Sequence, residues 1–185
     1  VEANPAAAVL VDEAYADFGA QSAVELIDQY PNLLVVRTMS KSRSLAGMRI
    51  GYALGSQDLI AGVNCVKNSF NSYPLDRLAQ AAGEAAVRDT AYFEETRGKI
   101  MATRTWVTHR LREMGFQVHD SSSNFLFIAH PGHSGRVLQQ GLRDRGVLVR
   151  RFERPRIQDH LRVSIGTDEE MEAMCRAMEE ILKGQ

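Results

Sequence analysis

Arg37-Thr38-Met39-Ser40-Lys41-Ser42-Arg43-Ser44-Leu45-Ala46-Gly47-Met48-Arg49-Ile50-Gly51-Tyr52 is the stretch on which the reading of this chain turns. It lies between two apolar runs, Leu33 to Val36 and Ile50 to Leu54, and so reads as a polar connection between two short strands. A lysine at the end of a buried strand, among small hydroxyl residues, is unusual, because lysines mostly keep their charge in water. Partial burial beside a cation favours the neutral amine, the form that attacks a carbonyl as a Schiff-base nucleophile. Hydroxyls and backbone N–H groups from Thr38 to Ser42, together with Arg49, can cradle a phosphate. A polar loop with scattered cations is the other reading of the same residues.

Working outward, Ala7 to Val11 is a fully apolar run that ends in Asp12, the pattern of a buried parallel strand. Asp12 then sits at the carboxyl edge of a parallel sheet, where such folds bind ligands, and Tyr15 follows on the same connection. A helix cap followed by a surface tyrosine is the plainer alternative for that pair. Ser22-x-x-Glu25 reads as a capping box opening a helix that Pro31 and Asn32 end. Pro74 is expected to open an Ala-rich helix reaching about Arg88. Strand, helix and strand in this order predict a parallel sheet with right-handed crossovers.

From about Ala91 the pattern changes. Phe93, Ile100, Val107 and Met114 recur every seven residues, predicting one long helix to Gly115. Phe116 to Val118, Phe125 to Ala129, Val147 to Val149 and the alternating Leu161, Val163 and Ile165 read as strands. Ser134 caps a helix closing at Gly146, and Thr167-x-x-Glu170 is a second capping box. Met171, Met174, Cys175, Met178 and Ile181 then form one apolar stripe, read as core rather than as a cofactor box. The fold class expected is α/β: a mostly parallel sheet over residues 1–90, then a small α+β domain over 91–185, entered through the long helix.

Composition excludes several functions. Over 185 residues, 22 Lys and Arg balance 23 Asp and Glu, which provides no general pull on nucleic acid or anionic lipid. The longest apolar run, Ala6 to Val11, is far short of the roughly 20 residues needed to span a bilayer. Cys65 and Cys175 lack metal-ligand spacing and cannot make a disulfide framework, which suits a reducing, cytoplasmic setting. His130-Pro-Gly-His133 reads as a turn, so no metal is expected. The partners left are small molecules.

One cofactor would use the remaining candidates together. A pyridoxal 5'-phosphate site needs a lysine for the aldehyde, a carboxylate facing the pyridine nitrogen, a donor near the ring oxygen, and cations and hydroxyls for the phosphate. Lys41, Asp12, Tyr15 and the Ser40/Arg49 pair supply one candidate for each. At this point the sequence resembles a known family. Thr38 to Gly47 is similar to the class-II aminotransferase motif around the cofactor lysine, with Arg49 at the spacing of the phosphate-binding arginine. Asp12-Glu13-Ala14-Tyr15 resembles the upstream motif whose aspartate meets the pyridine nitrogen. Asn71 to Asp76 and Leu161 to Thr167 most resemble histidinol-phosphate aminotransferases.

The resemblance implies a fold-type I transferase in which Lys41 is the Schiff-base lysine and Arg162 holds the substrate's anionic group. Arg150 matches a second arginine near the substrate, with Arg151 close enough to leave that register open. It implies transamination of histidinol phosphate with 2-oxoglutarate and glutamate, in histidine biosynthesis, by a homodimer. Aromatic or broad-range aminotransferases and threonine-phosphate decarboxylases are rivals of the same type. An aminotransferase-like sensor domain of a transcription regulator is a rival of another class. Family members begin well upstream of the residue matching Val1, so the chain is expected to be the C-terminal portion of a longer enzyme, and this isolated piece could lack activity.

Overall fold

The two apolar runs flanking the first connection do pair side by side. Strand β1 (Val9–Asp12) lies parallel to β2 (Leu33–Thr38), with Val9 opposite Leu33 and Asp12 opposite Val36. Strand β3 (Gly51–Gly55) takes the other edge of β2, but antiparallel, with Thr38 opposite Gly51. This corrects the expectation of parallel pairing at that edge. A parallel return needs a crossover that carries the chain back along the sheet. Here residues 39–50 are instead closed at their base: the N–H of Met39 donates to Ile50 O at 3.1 Å, and that of Leu45 to Met39 O at 3.0 Å. The chain therefore reverses as a wide hairpin.

The helix expected from Ser22 is also shorter than its pattern suggests. Ser22 does cap, accepting from Val24 N at 3.1 Å, but only one 3-10 turn follows, Ala23–Leu26. The Ala23 N–H and the Ser22 hydroxyl both donate to the buried Glu13 carboxylate, at 2.6 and 2.8 Å, so the segment is held to β1 rather than to a longer helix. Helix α1 (Gln57–Phe70), capped by Ser56, carries no buried residue and had no counterpart in the sequence reading. Helix α2 (Arg77–Arg88) is capped by Asp76, which accepts from Ala79 N at 2.7 Å, rather than opened by Pro74. Its Gly83 is close-packed, since a Cβ there would stand 3.0 Å from Ile50 Cδ1.

The computed structural model describes residues 1–184, and the chain divides into two compact units, Val1–Arg97 and Gly98–Gln185. Helix α3 (Thr90–Glu113) runs through the division. The second unit contains β4 (Gln117–Val118), β5 (Phe125–Ala129), α4 (Gly135–Asp144), β6 (Arg150–Arg151), β7 (Leu161–Ser164) and α5 (Asp168–Leu182). Its strands form an antiparallel sheet in the order β4-β5-β7-β6. Leu126, Ile128, Leu161 and Val163 on one face pack with Val107 and Leu111 of α3, Leu138 and Leu142 of α4, and Met174 and Met178 of α5. The methionine stripe is core, as its spacing predicts. Thr167 and Glu170 form the expected capping box.

Val147 to Val149 is not a strand, and the pairing residues come directly after it. Gly146, at φ 78°, turns the chain, and the Val147 N–H caps α4 by donating to Leu142 O at 2.9 Å. The Val149 carbonyl accepts from Gln139 Nε2 at 3.2 Å. With those backbone groups committed, pairing begins at Arg150. Among the described residues, no helix is long and apolar enough to cross a membrane.

Candidate active site

Parallel neighbours end on the same edge of their sheet. Asp12 closes β1, Thr38 closes β2, and Lys41 follows three residues later in chain order, so residues far apart in sequence meet at one edge. Asp12 is exposed, and its Oδ1 accepts from Ala14 N at 3.0 Å. Its Oδ2 has no protein partner among the described residues. Lys41 is exposed, makes no ion pair among the described residues, and holds its Nζ 5.6 Å from the centroid of the Tyr15 ring. A carboxylate, a phenol and an amine are thus gathered at this edge.

Ser40 belongs to a hydroxyl cluster. Thr38 Oγ1 lies 2.9 Å from Ser40 Oγ, accepts from Ser40 N at 3.1 Å, and lies 3.2 Å from Ile50 O. Arg49 sits directly before Ile50, so the closed base of the hairpin brings it back toward the start of the Lys41 segment. Its backbone is left-handed, φ 55°, and its Nη1 donates to Ala46 O at 2.9 Å. That conformation costs a non-glycine residue about 1 kcal/mol. Among the described residues, no hydrogen bond joins Ser40 to Arg49.

Alternation along the strands turns Glu13 to the opposite face from Asp12. Arg37 lies beside it on β2 and donates through Nε at 3.0 Å and Nη2 at 2.8 Å to Glu13 Oε2. Burial opposes the Glu13 charge, but hydrogen bonds from Ala23, Ser22 and Arg37, together with the Arg37 charge, hold the carboxyl below its ordinary range. Burial likewise opposes the Arg37 charge, and Glu13 and Tyr52 outweigh it and push the guanidinium up. Sequence reasoning singled out Asp12 and passed over this pair. The available signal was a pair of opposite charges close to the ends of two apolar runs, Arg37 directly after Leu33 to Val36 and Glu13 one residue beyond Asp12.

In the second unit, Arg162 of β7 is directly opposite Arg150 of β6 and, on its other side, Phe127 of β5. The Arg162 guanidinium lies 4.9 Å over the Phe125 ring, and that of Arg150 lies 5.0 Å over Phe152. Arg162 Nε is buried without a hydrogen-bond partner among the described residues. Among the described residues, neither guanidinium has a carboxylate partner. Like charges directly opposite across strands destabilise a sheet. An anion seated between them would reverse the sign. Arg151 projects to the other face, donating to Glu153 at 2.6 Å and Gln158 O at 3.1 Å, so it is Arg150 that accompanies Arg162. Burial and the neighbouring His119 hold the His160 imidazole below its ordinary range, opposed by Asp159. His160 stacks on Phe127 at 4.6 Å, continuing the same aromatic face.

The profile of the "Aminotransferase class I and II" family matches residues 2–178. The chain belongs to this family. Among curated relatives, "Histidinol-phosphate aminotransferase 2" of Burkholderia lata is 53% identical over 98% of this chain and 51% of its own length. "Histidinol-phosphate aminotransferase 1" of Bordetella parapertussis is 54% identical over 98% of this chain and 51% of its own. The chain therefore spans about half the length of the curated relatives it matches. Among solved structures, histidinol-phosphate aminotransferase from Sinorhizobium meliloti, in complex with pyridoxal-5'-phosphate, superposes with a TM-score of 0.81 at 27% identity. That match covers 95% of this chain and 48% of the other. The α/β fold expected from the motifs is that of this aminotransferase family.

Proposed function

We propose that this chain is the part of a histidinol-phosphate aminotransferase that carries the cofactor lysine, and that it serves pyridoxal-phosphate-dependent transamination in histidine biosynthesis. The carrying observation is the convergence of Asp12, Tyr15 and Lys41 at the carboxyl edge of two parallel strands, with Lys41 Nζ 5.6 Å from the Tyr15 ring. The donor set suits the cofactor: among the described residues, an amine without an ion pair, a carboxylate with one free oxygen, a phenol, and a hydroxyl cluster beside the Arg49 turn. Segment 1–90 then belongs to the large cofactor-binding domain and 91–185 to the small domain. The protein works in the cytoplasm as a homodimer.

In this reading Asp12 would meet the pyridine nitrogen of the bound cofactor and keep it protonated, and Tyr15 would donate to the ring oxygen. Ser40 and Arg49 would hold its phosphate, the hydroxyl by hydrogen bonding and the guanidinium by charge. When bound, pyridoxal phosphate supplies the electron sink that accepts the pair left behind as a proton leaves the substrate's α-carbon. Lys41 provides the amine that holds the cofactor and moves that proton. Arg162 and Arg150 hold the anionic groups of the amino-acid and keto-acid substrates, two carboxylates for glutamate or a phosphate for histidinol phosphate. Fork geometry fits arginine to that task better than lysine.

The test uses the protein that carries this chain. Borohydride reduction after incubation with pyridoxal phosphate, followed by peptide mass spectrometry, is expected to find the cofactor on Lys41 and to lose it in Lys41→Ala. A label on another lysine would sink the assignment. A panel of histidinol phosphate, phenylalanine and threonine phosphate with 2-oxoglutarate is expected to favour histidinol phosphate.

A further inference from the structure

Behind the edge that carries Asp12 and Lys41 runs a continuous chain of polar contacts that the reaction itself does not use. It begins at Glu13, which is 8% exposed and receives Arg37, Ser22 and the Ala23 N–H. Arg37 reaches onward, with Nη1 3.7 Å from Asp17 Oδ1. Asp17 Oδ2 in turn accepts from the Ser42 hydroxyl at 2.5 Å, and Ser42 is 9% exposed. Three of its four members lie within two residues of a candidate site residue. Glu13 follows Asp12, Asp17 comes two residues after Tyr15, and Ser42 follows Lys41.

A buried ion pair adds little net stability over apolar residues of the same volume. Its distinctive effect is directional, because charged hydrogen bonds fix the angle and distance between the groups they join. Lys41 has reason to need such fixing. Its side chain is long, exposed and without an ion pair among the described residues, so the reach of its amine is set by where its backbone is held. The backbone bonds of residues 39–50 tie the Lys41 segment to itself, closing it at Ile50 just before β3. The Ser42–Asp17 hydrogen bond ties it to the segment after β1, where Asp12 and Tyr15 sit.

We infer that Ser42 and Asp17 are positioning residues: their hydrogen bond, anchored through Arg37 on Glu13, sets the Lys41 amine relative to Tyr15 and Asp12. The inference rests on the pyridoxal-phosphate reading above. It makes the Glu13–Arg37–Asp17–Ser42 chain a means of preorganising the cofactor-binding edge before any cofactor arrives, which lowers the cost of binding.

A double-mutant cycle on the protein that carries this chain tests it, read by absorbance titration with pyridoxal phosphate and by the rate of borohydride trapping at Lys41. Ser42→Ala and Asp17→Ala are each expected to weaken cofactor affinity about tenfold, and the double variant no further, because both remove one shared bond. Asp17→Asn, whose amide oxygen still accepts from Ser42, is expected to recover most of the affinity and trapping rate. Thermal melting of each cofactor-free variant separates a change in placement from unfolding. Should Asp17→Ala fail to fold, Ser42→Ala against Ser42→Thr carries the comparison, with the threonine hydroxyl expected to rescue. Single variants that bind like the unsubstituted protein, or losses that multiply in the double variant, overturn the positioning role. An unsubstituted protein that takes no pyridoxal phosphate at Lys41 overturns the functional reading instead, so the two failures are distinguishable.

Discussion

Arg150 and Arg162 stand opposite each other on neighbouring strands, each over an aromatic ring and neither with a carboxylate partner among the described residues. Two cations held in this way invite an anion. For the whole protein, Arg162→Ala is expected to raise KM for glutamate ten- to a hundredfold, the range of about 1.4–2.7 kcal/mol for a lost charged contact. Arg162→Lys should recover little of it, since a single ammonium cannot make the forked contact. An unchanged KM in steady-state kinetics would remove Arg162 from the substrate site. Glu13 makes a different expectation, about pH. Its folded carboxyl lies below the ordinary value of 4.5. The stability it contributes is therefore complete above 4.5 and is lost as pH falls through the lower folded value. Urea midpoints measured across that acid limb should drop less steeply in Glu13→Gln. An identical limb in the variant would show that Glu13 does not carry the effect. Both charges of the Glu13–Arg37 pair were visible in the sequence as residues, but their pairing was not. It depends on β1 and β2 lying parallel in a register that puts Glu13 beside Arg37.

The ends of the elements carry most of their specificity. Thr167 accepts from Glu170 N at 3.3 Å while Glu170 Oε2 accepts from Thr167 N at 2.8 Å, closing the box that starts α5. Thr167→Ala is expected to cost about 1 kcal/mol in chemical denaturation. The start of α4 is tighter. A Cβ on Gly135 would stand 2.8 Å from the Asp159 backbone, and its N–H donates to Asp159 Oδ1 at 3.0 Å. Backbone cannot swing aside as a side-chain tip can, so Gly135→Ala should cost about 2 kcal/mol or more. A loss under half a kilocalorie in the same assay would mean the loop at Asp159 yields freely. The boxes and caps were legible where the partners are a few residues apart, as at Thr167 and Ser134. They misled at Ser22, whose hydroxyl is drawn to Glu13, nine residues back in the chain.

At the scale of the whole chain, the two units differ in how much they bury. The second has a continuous core of fully buried leucine, isoleucine, valine and methionine from three helices and a sheet. In the first, α1 buries no residue, and Phe70 at its end is 94% exposed. Helical hydrogen bonds without apolar cover open easily. Hydrogen exchange on this chain should find the slowest amides in β5, β7 and α5, and the fastest helical amides in α1. Slow exchange throughout α1 would contradict that ranking.

What the sequence determined by itself was local. Period-two and period-3.6 patterns identified most strands and helices, and the small polar residues around Lys41 identified the chemistry worth testing. Asp12 could be placed at a strand end, and Lys41 on the connection just past one, because a strand's end is visible where its apolar run stops. Tertiary structure decided the rest: the antiparallel return of β3, the start of β6 at Arg150, the choice of Arg150 over Arg151 beside Arg162, and the closure of Glu13, Arg37, Asp17 and Ser42 into one chain. The reason is common to all four. A strand's pattern says which residues share a face, but which neighbour that face meets depends on direction and register, and these are set by contacts between residues distant in sequence.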